Sequence, residues 1–169
     1  MKEELLFQLD MVWQLFQYHC EDLKETEIGW CRTEDGLQVR KKGSAWIPDW
    51  PETEEYTIGP ASIGWTLWHI LYWWKTVLST STGGRILDRN EVLWPESGTA
   101  AIREIRDCHD KWVEFLLSLE ESEFQSDRLC RWPFEGRSFT ELALWLNMEF
   151  MKNTAEIGAA RFLYAVSEQ

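Results

Sequence analysis

The chain has little of what several functional classes need. Only 17 of its 169 residues are Lys or Arg, against 29 Asp or Glu, and the formal net charge is −12. Nucleic-acid binding relies on clustered Lys and Arg, and anionic membrane surfaces attract the same residues, so neither is an expected partner. The longest apolar run is far shorter than the ~20 residues that a membrane span needs.

Cysteine is also scarce, and the sequence holds no C-x-x-C pair. The four cysteines are scattered at Cys20, Cys31, Cys108 and Cys130. The first residues, MKEELLFQLD, mix acids with apolar residues, which is typical of an amphipathic helix and not of a signal peptide. Reduced thiols and a cytoplasmic location are therefore expected. The sequence also lacks the HExxH, P-loop and G-x-S-x-G motifs of common enzyme classes.

Tryptophan, by contrast, is abundant, with 12 residues, and apolar residues recur at helical spacing in four segments. They predict helices over residues 2–23, 59–78, 99–121 and 138–165, the last opened by the capping box Ser138-Phe139-Thr140-Glu141. The length suits one domain over residues 1–169. The predicted fold is all-α, a four-helix bundle with long, decorated loops.

The segment that connects the first two predicted helices, residues 24–58, lacks helical periodicity and contains several Gly and Pro. Thr33-Glu34-Asp35-Gly36 has turn chemistry, which predicts a β-hairpin between Trp30–Arg32 and Leu37–Arg40. The basic run that follows, Arg40-Lys41-Lys42, is interpreted as a solvated loop.

A second part of this connecting segment is apolar but is interrupted by proline. Residues 45–51 read AWIPDWP and cannot form a helix interior. A structureless segment of this length usually covers something, so it predicts a lid over one end of the helices with Trp46 and Trp50 as anchors. Further along, Thr80 to Gly84 is small and polar and predicts a flexible linker.

The predicted second helix carries His69 among aromatic residues, in a segment apolar on nearly all sides. The fourth helix has one wholly apolar stripe, formed by Leu144, Met148, Met151, Ala155 and Phe162. A second stripe begins apolar and then becomes polar at Glu149 and Asn153, which are four residues apart and share a face.

Two interpretations of these polar residues stay open. His69, Glu149 and Asn153 provide an imidazole, a carboxylate and an amide oxygen, which suit a divalent metal such as Zn, Ni or Mn with room for substrate. His69 and Glu149 equally suit a buried pair that needs no metal, within hydrogen-bonding reach or sharing a bridging ion or water. An amide oxygen is a poor ligand for Zn or Ni, so metal occupancy is expected to be weak or absent in the purified protein.

The stretch Ser62-Ile63-Gly64-Trp65-Thr66-Leu67-Trp68-His69-Ile70, together with the four helices, resembles the DinB/YfiT-like superfamily. That resemblance implies an up-down-down-up bundle and a divalent metal held by one histidine of the second helix and an H-x-x-x-H of the fourth. His69 matches the first position, and aligning Ile157 puts the other two at Glu149 and Asn153. The resemblance further implies thiol-dependent transferase or isomerase activity, although many members have no assigned activity.

Three functions follow as hypotheses. The first is a DinB-like metalloenzyme with a weakened site and a small-molecule substrate. The second is a non-catalytic bundle that binds a small molecule in an aromatic pocket. The third is a bundle that self-associates as a homodimer, since so many aromatic residues exceed what one core is expected to hide. The residues expected to line the pocket are Trp65, Thr66, Tyr72, Trp73 and Trp145.

Overall fold

The computed structural model describes residues 1–53 and 55–167, and these are mostly helical. The α-helices are α1 Lys2–Cys20, α2 Glu25–Ile28, α3 Ile63–Ser81, α4 Gly98–Ser118, α5 Glu121–Gln125 and α6 Phe139–Ser167. Two strands, β1 Val39–Lys42 and β2 Ala45–Pro48, form an antiparallel hairpin. The prediction of an all-α fold is confirmed, and α1, α3, α4 and α6 correspond to the four predicted helices.

Contacts near the helix ends show how neighbouring helices run. Ile28 packs against Gly64 at the start of α3 and against Gly98 at the start of α4, so these two helices begin at the same end of the molecule. A Cβ on Gly98 would lie 1.9 Å from Cδ1 of the buried Ile28, so a larger residue at this position would have to displace that side chain.

The pair α1 and α6 also runs in one direction. The side-chain amide of Asn147, early in α6, donates to the carbonyl of Leu5 at 3.1 Å. Later in both helices, the His19 ring lies directly against Gly158. Two parallel pairs fit the up-down-down-up order, which stays a prediction for the bundle as a whole.

The helix α3 begins later than predicted. Its first residue is Ile63 and not Gly59, and Pro60 lies outside it. The reason is the hydroxyl of Ser62, which accepts a hydrogen bond from the backbone N–H of Trp65 at 3.2 Å and so caps the helix.

The prediction of a flexible linker over Thr80 to Gly84 is wrong for its first two residues. Thr80 and Ser81 belong to α3 and are buried. Each hydroxyl is satisfied, that of Thr80 by the carbonyl of Thr76 at 3.0 Å and that of Ser81 by the carbonyl of Leu129 at 3.1 Å. Small polar residues continue a helix when their hydroxyls find acceptors, so composition alone misplaced this end.

The hairpin lies elsewhere than predicted. Residues 33–36 form a tight turn, closed by the N–H of Gly36 and the carbonyl of Thr33 at 3.2 Å, without flanking strands. The strands instead enclose Gly43 and Ser44, and Gly43 has φ 65° as the first central residue of a two-residue turn. The run Arg40-Lys41-Lys42 is therefore strand and not loop.

Two short helices were not predicted, and α2 connects the ends of three long ones. Besides the contacts of Ile28, the Glu25 carboxylate accepts from the backbone N–H of Gly98 at 3.0 Å, at the positive end of α4. The buried Glu27 pairs with Arg161 of α6 at 2.8 Å. Four residues are too short for periodicity to reveal, so this helix depends on tertiary contacts.

The apolar stripe of α6 lies on the outside of the bundle. Apolar periodicity alone would place this stripe in the core, but four of its five members are exposed large hydrophobic residues: Leu144, Met148, Met151 and Phe162. The other face of α6 is buried and includes Leu142, Leu146, Phe150, Asn153 and Ile157. Because both faces carry apolar residues, periodicity could not choose between them.

A helix that crosses a membrane must be both long and apolar. Within residues 1–53 and 55–167, none of the helices meets both conditions. The cytoplasmic location stays a prediction.

Candidate functional site

The candidate site is centred on His69, in the first half of α3 and only 8% exposed. Trp65 precedes it by one turn and Trp73 follows by one turn, so the three side chains share a helix face. The Trp65 and His69 rings are stacked with centroids 4.7 Å apart. The Trp73 ring meets the imidazole edge-on at 5.7 Å.

Both ring nitrogens of His69 take part in hydrogen bonds. The indole Nε1 of Trp73 lies 2.7 Å from His69 Nε2, and Nδ1 of the same imidazole lies 3.1 Å from Oδ1 of Asn153 on α6. An indole N–H only donates, so Nε2 accepts and must be unprotonated. The proton of the neutral ring is therefore on Nδ1 and is donated to Asn153.

This arrangement also keeps His69 neutral. A second proton on Nε2 would point at the indole N–H of Trp73, where two donors would face each other. Burial lowers the pKa of His69 to about 4, the Asn153 hydrogen bond opposes this shift, and the nearby Lys152 ammonium adds to it. At neutral pH the ring is a neutral imidazole with a fixed tautomer.

Glu149 lies beside this pair but does not bond directly to the imidazole. Its Oε1 is 3.9 Å from His69 Nδ1, too far for a hydrogen bond. Asn153 links the two residues, because its side-chain N–H group donates to the carbonyl of Glu149 at 2.8 Å. The Glu149 carboxylate in turn accepts from Lys152. The predicted hydrogen bond between His69 and Glu149 is therefore not formed, and the Asn153 amide lies between them, with its N–H group 3.4 Å from the Glu149 carboxylate.

The structure brings His69, Glu149 and Asn153 together, yet the set does not fit a divalent metal. The lone pair of His69 Nε2 accepts from Trp73, and Asn153 Oδ1 accepts from His69. A metal site lacking its ion would leave buried donor atoms without partners. The buried side-chain atoms without a partner belong to other residues, among them Trp74 and Thr76. Across the described residues, no cluster of three His, Cys, Asp or Glu side chains has metal-binding geometry.

The residues expected to line a pocket instead fill the space around His69. The cavity next to Trp73, Glu149 and Asn153 has a volume of only about 10 Å³. The Trp145 ring meets the Trp73 ring edge-on at 5.0 Å. The Thr66 hydroxyl is turned to its own helix. A volume of this size holds at most one water, so no substrate fits beside the imidazole.

Two loops cover this cluster. The Trp50 ring, from the segment predicted as a lid, lies 6.4 Å from the His69 ring and 5.7 Å from that of the half-buried Tyr72. The Trp65 indole N–H donates to the carbonyl of Asp49 at 2.6 Å, which fastens this loop to α3.

The other anchor named from the sequence, Trp46, is partly buried in the hairpin, with the Lys41 ammonium 5.7 Å from its ring centroid. A second cover was not predicted. Trp132, from the loop between α5 and α6, stacks on Trp73 with centroids 4.8 Å apart. The dipeptide Trp132-Pro133 gave no periodic signal that could have indicated this contact.

Comparison with protein families matches residues 8–157 to the DinB superfamily. The chain belongs to the DinB superfamily. Its resemblance to DinB/YfiT-like proteins is thereby confirmed, whereas substrate, reaction and metal dependence are not determined by membership. The comparisons found no match among curated proteins and none among solved structures.

A larger cavity of this DinB protein lies away from His69. It is a groove of about 490 Å³ between α1 and α4. Trp13 forms part of its wall and stacks on His109 with centroids 4.0 Å apart. Cys20 and Arg106 also line the groove, and burial raises the pKa of the Cys20 thiol to about 12, which leaves it unreactive at neutral pH. Sequence periodicity gave no sign of this groove.

Proposed function

We propose that this DinB-superfamily protein has a metal-free centre and works as an association module rather than as a metalloenzyme. The observation that carries the metal-free centre is the hydrogen bond from the Trp73 indole to His69 Nε2, and the association role is supported by the exposed apolar stripe of α6. The hydrogen bond occupies the one imidazole lone pair that a metal would need. The tryptophan N–H therefore takes the place of a metal ion in orienting His69.

Metal binding would require Trp73 to leave this position, and its surroundings oppose such a movement. Its ring is stacked on Trp132 and packed against Trp145. Moving it would also leave the indole N–H without its partner in a partly buried setting, at a cost of about 1–3 kcal/mol. The remaining ligands are one carboxylate and one amide oxygen. They bind Zn or Ni too weakly to offset this cost.

The proposal therefore sets aside the transferase or isomerase chemistry that the resemblance implied. Metal catalysis needs an open coordination position where water or substrate binds. At His69 that position is taken by an indole N–H, and the adjoining cavity holds at most one water. The closed centre supports a structural role for His69, Glu149 and Asn153.

Isothermal titration with Zn, Ni and Mn tests the proposal on protein purified without an affinity tag or chelator. We expect no binding tighter than about 100 μM for the wild type, which corresponds to a binding free energy weaker than about −5.5 kcal/mol. Trp73→Phe frees the lone pair and should bind Zn more tightly than the wild type. Trp145→Phe is the matched control and should behave as the wild type. Micromolar wild-type binding that disappears in His69→Ala would overturn the proposal.

A second candidate function is small-molecule binding in the α1–α4 groove, which its volume of about 490 Å³ favours. The aromatic walls and Arg106 suit a planar aromatic anion, so anilinonaphthalene sulfonate is a suitable fluorescent probe. We expect the probe to bind and Ile102→Trp, which fills the groove, to abolish binding. Ile86→Trp, in an exposed loop, is the control. Equal binding by all three proteins would place the probe elsewhere.

A further inference from the structure

The groove between α1 and α4 has an apolar floor and a charged rim. The floor includes Trp13 and Phe16 of α1, which are 9% and 1% exposed. The rim includes Glu21 and Arg106, which also line the groove but are exposed. Stacking on His109 fixes the Trp13 ring, so the floor is formed before a ligand arrives. A ligand that fills the groove therefore needs an apolar, preferably aromatic, body and a polar head.

The two charged residues of the rim have opposite signs and come from different helices. Arg106 lies in α4, whereas Glu21 directly follows the last residue of α1. Within residues 1–53 and 55–167, neither side chain takes part in an ion pair, with the other or with any third residue. Arginine binds carboxylates and glutamate binds ammonium groups through charge-assisted hydrogen bonds. The polar head that suits this rim therefore carries both charges.

The position of Glu21 favours a cation at its end of the groove. Its backbone carbonyl accepts from Arg161 of α6 at 3.0 Å, which holds the residue in place. The same guanidinium pairs with the buried Glu27 at 2.8 Å, so the carboxylate of Glu21 keeps its own charge available. Glu21 also lies at the C-terminal end of α1, where the helix dipole is negative and attracts positive charge.

We propose that the groove binds a free aromatic α-amino acid, with its ring on the floor, its carboxylate at Arg106 and its ammonium group at Glu21. This inference rests on the groove as a small-molecule site, the second function proposed above, and it names the class of ligand. An aromatic anion uses only the arginine and an aromatic amine only the glutamate, whereas an amino acid uses both. A zwitterion has no net charge, so the formal net charge of −12 does not repel it.

Isothermal titration of the full chain with three related compounds tests this assignment. L-tryptophan carries both charged groups, indole-3-propionate lacks the ammonium group, and tryptamine lacks the carboxylate. We expect L-tryptophan to bind about tenfold more tightly than either analogue, because each analogue loses one charge-assisted hydrogen bond.

Variants of the rim assign each charge to its residue. Arg106→Gln should weaken the binding of L-tryptophan and indole-3-propionate about tenfold without weakening that of tryptamine. Glu21→Gln should weaken the binding of L-tryptophan and tryptamine without weakening that of indole-3-propionate. The matched control is Arg103→Gln, at an exposed arginine of α4 that does not line the groove, and it should change none of the three affinities. A folding defect would weaken all three together.

Two results would overturn the assignment: equal affinities for the three compounds, or an affinity for L-tryptophan that neither rim variant changes. If anilinonaphthalene sulfonate still binds the wild type but not Ile102→Trp, the groove remains a small-molecule site and only its ligand class is wrong. If neither the fluorescent probe nor L-tryptophan binds, the proposed function of the groove fails as well.

Discussion

The two sides of α6 depart from the usual distribution of polar and apolar residues, since the buried inner side includes polar residues and the exposed outer side carries large apolar ones. On its inner side, Asn153 is buried against His69, while on its outer side Met148 and Phe162 face solvent. Asn153 is tolerated on the inner side because its amide oxygen and its side-chain N–H group both find partners, whereas an unpaired polar group would cost about 1–3 kcal/mol. Among residues 1–53 and 55–167, nothing covers the outer apolar groups fully, and Phe162 is 75% exposed. The comparison shows that the side of a helix that faces the core is decided by the contacts its residues make, and not by their polarity alone.

Two phenylalanines on α6 give the strongest test of this comparison. Phe150 is 2% exposed and packs on Phe16 and Trp74, whereas Phe162 is 75% exposed. Phe150→Ala should lower the free energy of unfolding by about 4 kcal/mol, since it opens a core cavity. Phe162→Ala should change it by less than about 0.5 kcal/mol.

Urea denaturation of the wild type and of each variant, at one protein concentration, measures both losses. Similar losses in the two variants would show that the outer side of α6 is packed within the monomer. The distinction between the two sides would then be lost.

The next largest effect concerns the polar centre. His69→Ala removes the partner of the partly buried indole N–H of Trp73 and of the buried amide oxygen of Asn153, and it leaves a void. It should lower the free energy of unfolding by about 3 kcal/mol. The control is His109→Ala, because the His109 imidazole bonds to the exposed side chain of its neighbour Asp110 and stacks on Trp13. A smaller loss for His69→Ala than for the control would contradict the closed network.

The pH dependence of stability follows from the lowered pKa of His69. The folded-state pKa is about 4 and the unfolded value is 6.5, so between these values the unfolded chain binds the proton more readily. The contribution of His69 is therefore fully present above pH 6.5 and is lost as the pH falls toward 4, by at most about 3 kcal/mol.

Urea denaturation between pH 7.5 and 4 should show that the free energy of unfolding of the wild type falls more than that of His69→Phe. The variant serves as the reference for the many carboxylates that titrate in the same range. Parallel curves for the two proteins would mean that His69 is not held neutral.

The smallest effect is expected at the exposed edge of the centre. Lys152 pairs with Glu149 but is half exposed, and such pairs contribute less than about 1 kcal/mol. Lys152→Ala should lower the free energy of unfolding by less than about 0.5 kcal/mol and leave metal binding unchanged. A loss comparable to that of His69→Ala would show that the lysine belongs to the closed network.

The sequence predicted the four long helices because each carries a sustained apolar period or a capping signal. Ser138 and Glu141 show this well, since the backbone N–H of Ser138 donates to the Glu141 carboxylate at 2.9 Å, as the capping box predicts. The start of α3 and the short α2 were missed, because a single cap and a four-residue helix depend on contacts with distant residues.

The site could be predicted in its members but not in its chemistry. Helical spacing placed Glu149 and Asn153 on one face of α6, and the predicted bundle together with the family resemblance set His69 opposite them. The hydrogen bond from Trp73 to His69 depends on the rotamer of an indole four residues away, and on the cover from Trp132. Neither contact changes the spacing of residues along the sequence. A metal site and a closed hydrogen-bond network therefore have the same sequence pattern.

Long-range ¹H–¹⁵N NMR of the imidazole nitrogens tests the central claim most directly, because it reports which nitrogen of His69 carries the proton. At pH 7 the account predicts a neutral ring, protonated at Nδ1 and unprotonated at Nε2, with signals unchanged by one equivalent of Zn. A ring protonated at Nε2, or an Nε2 signal that shifts on addition of Zn, would contradict it.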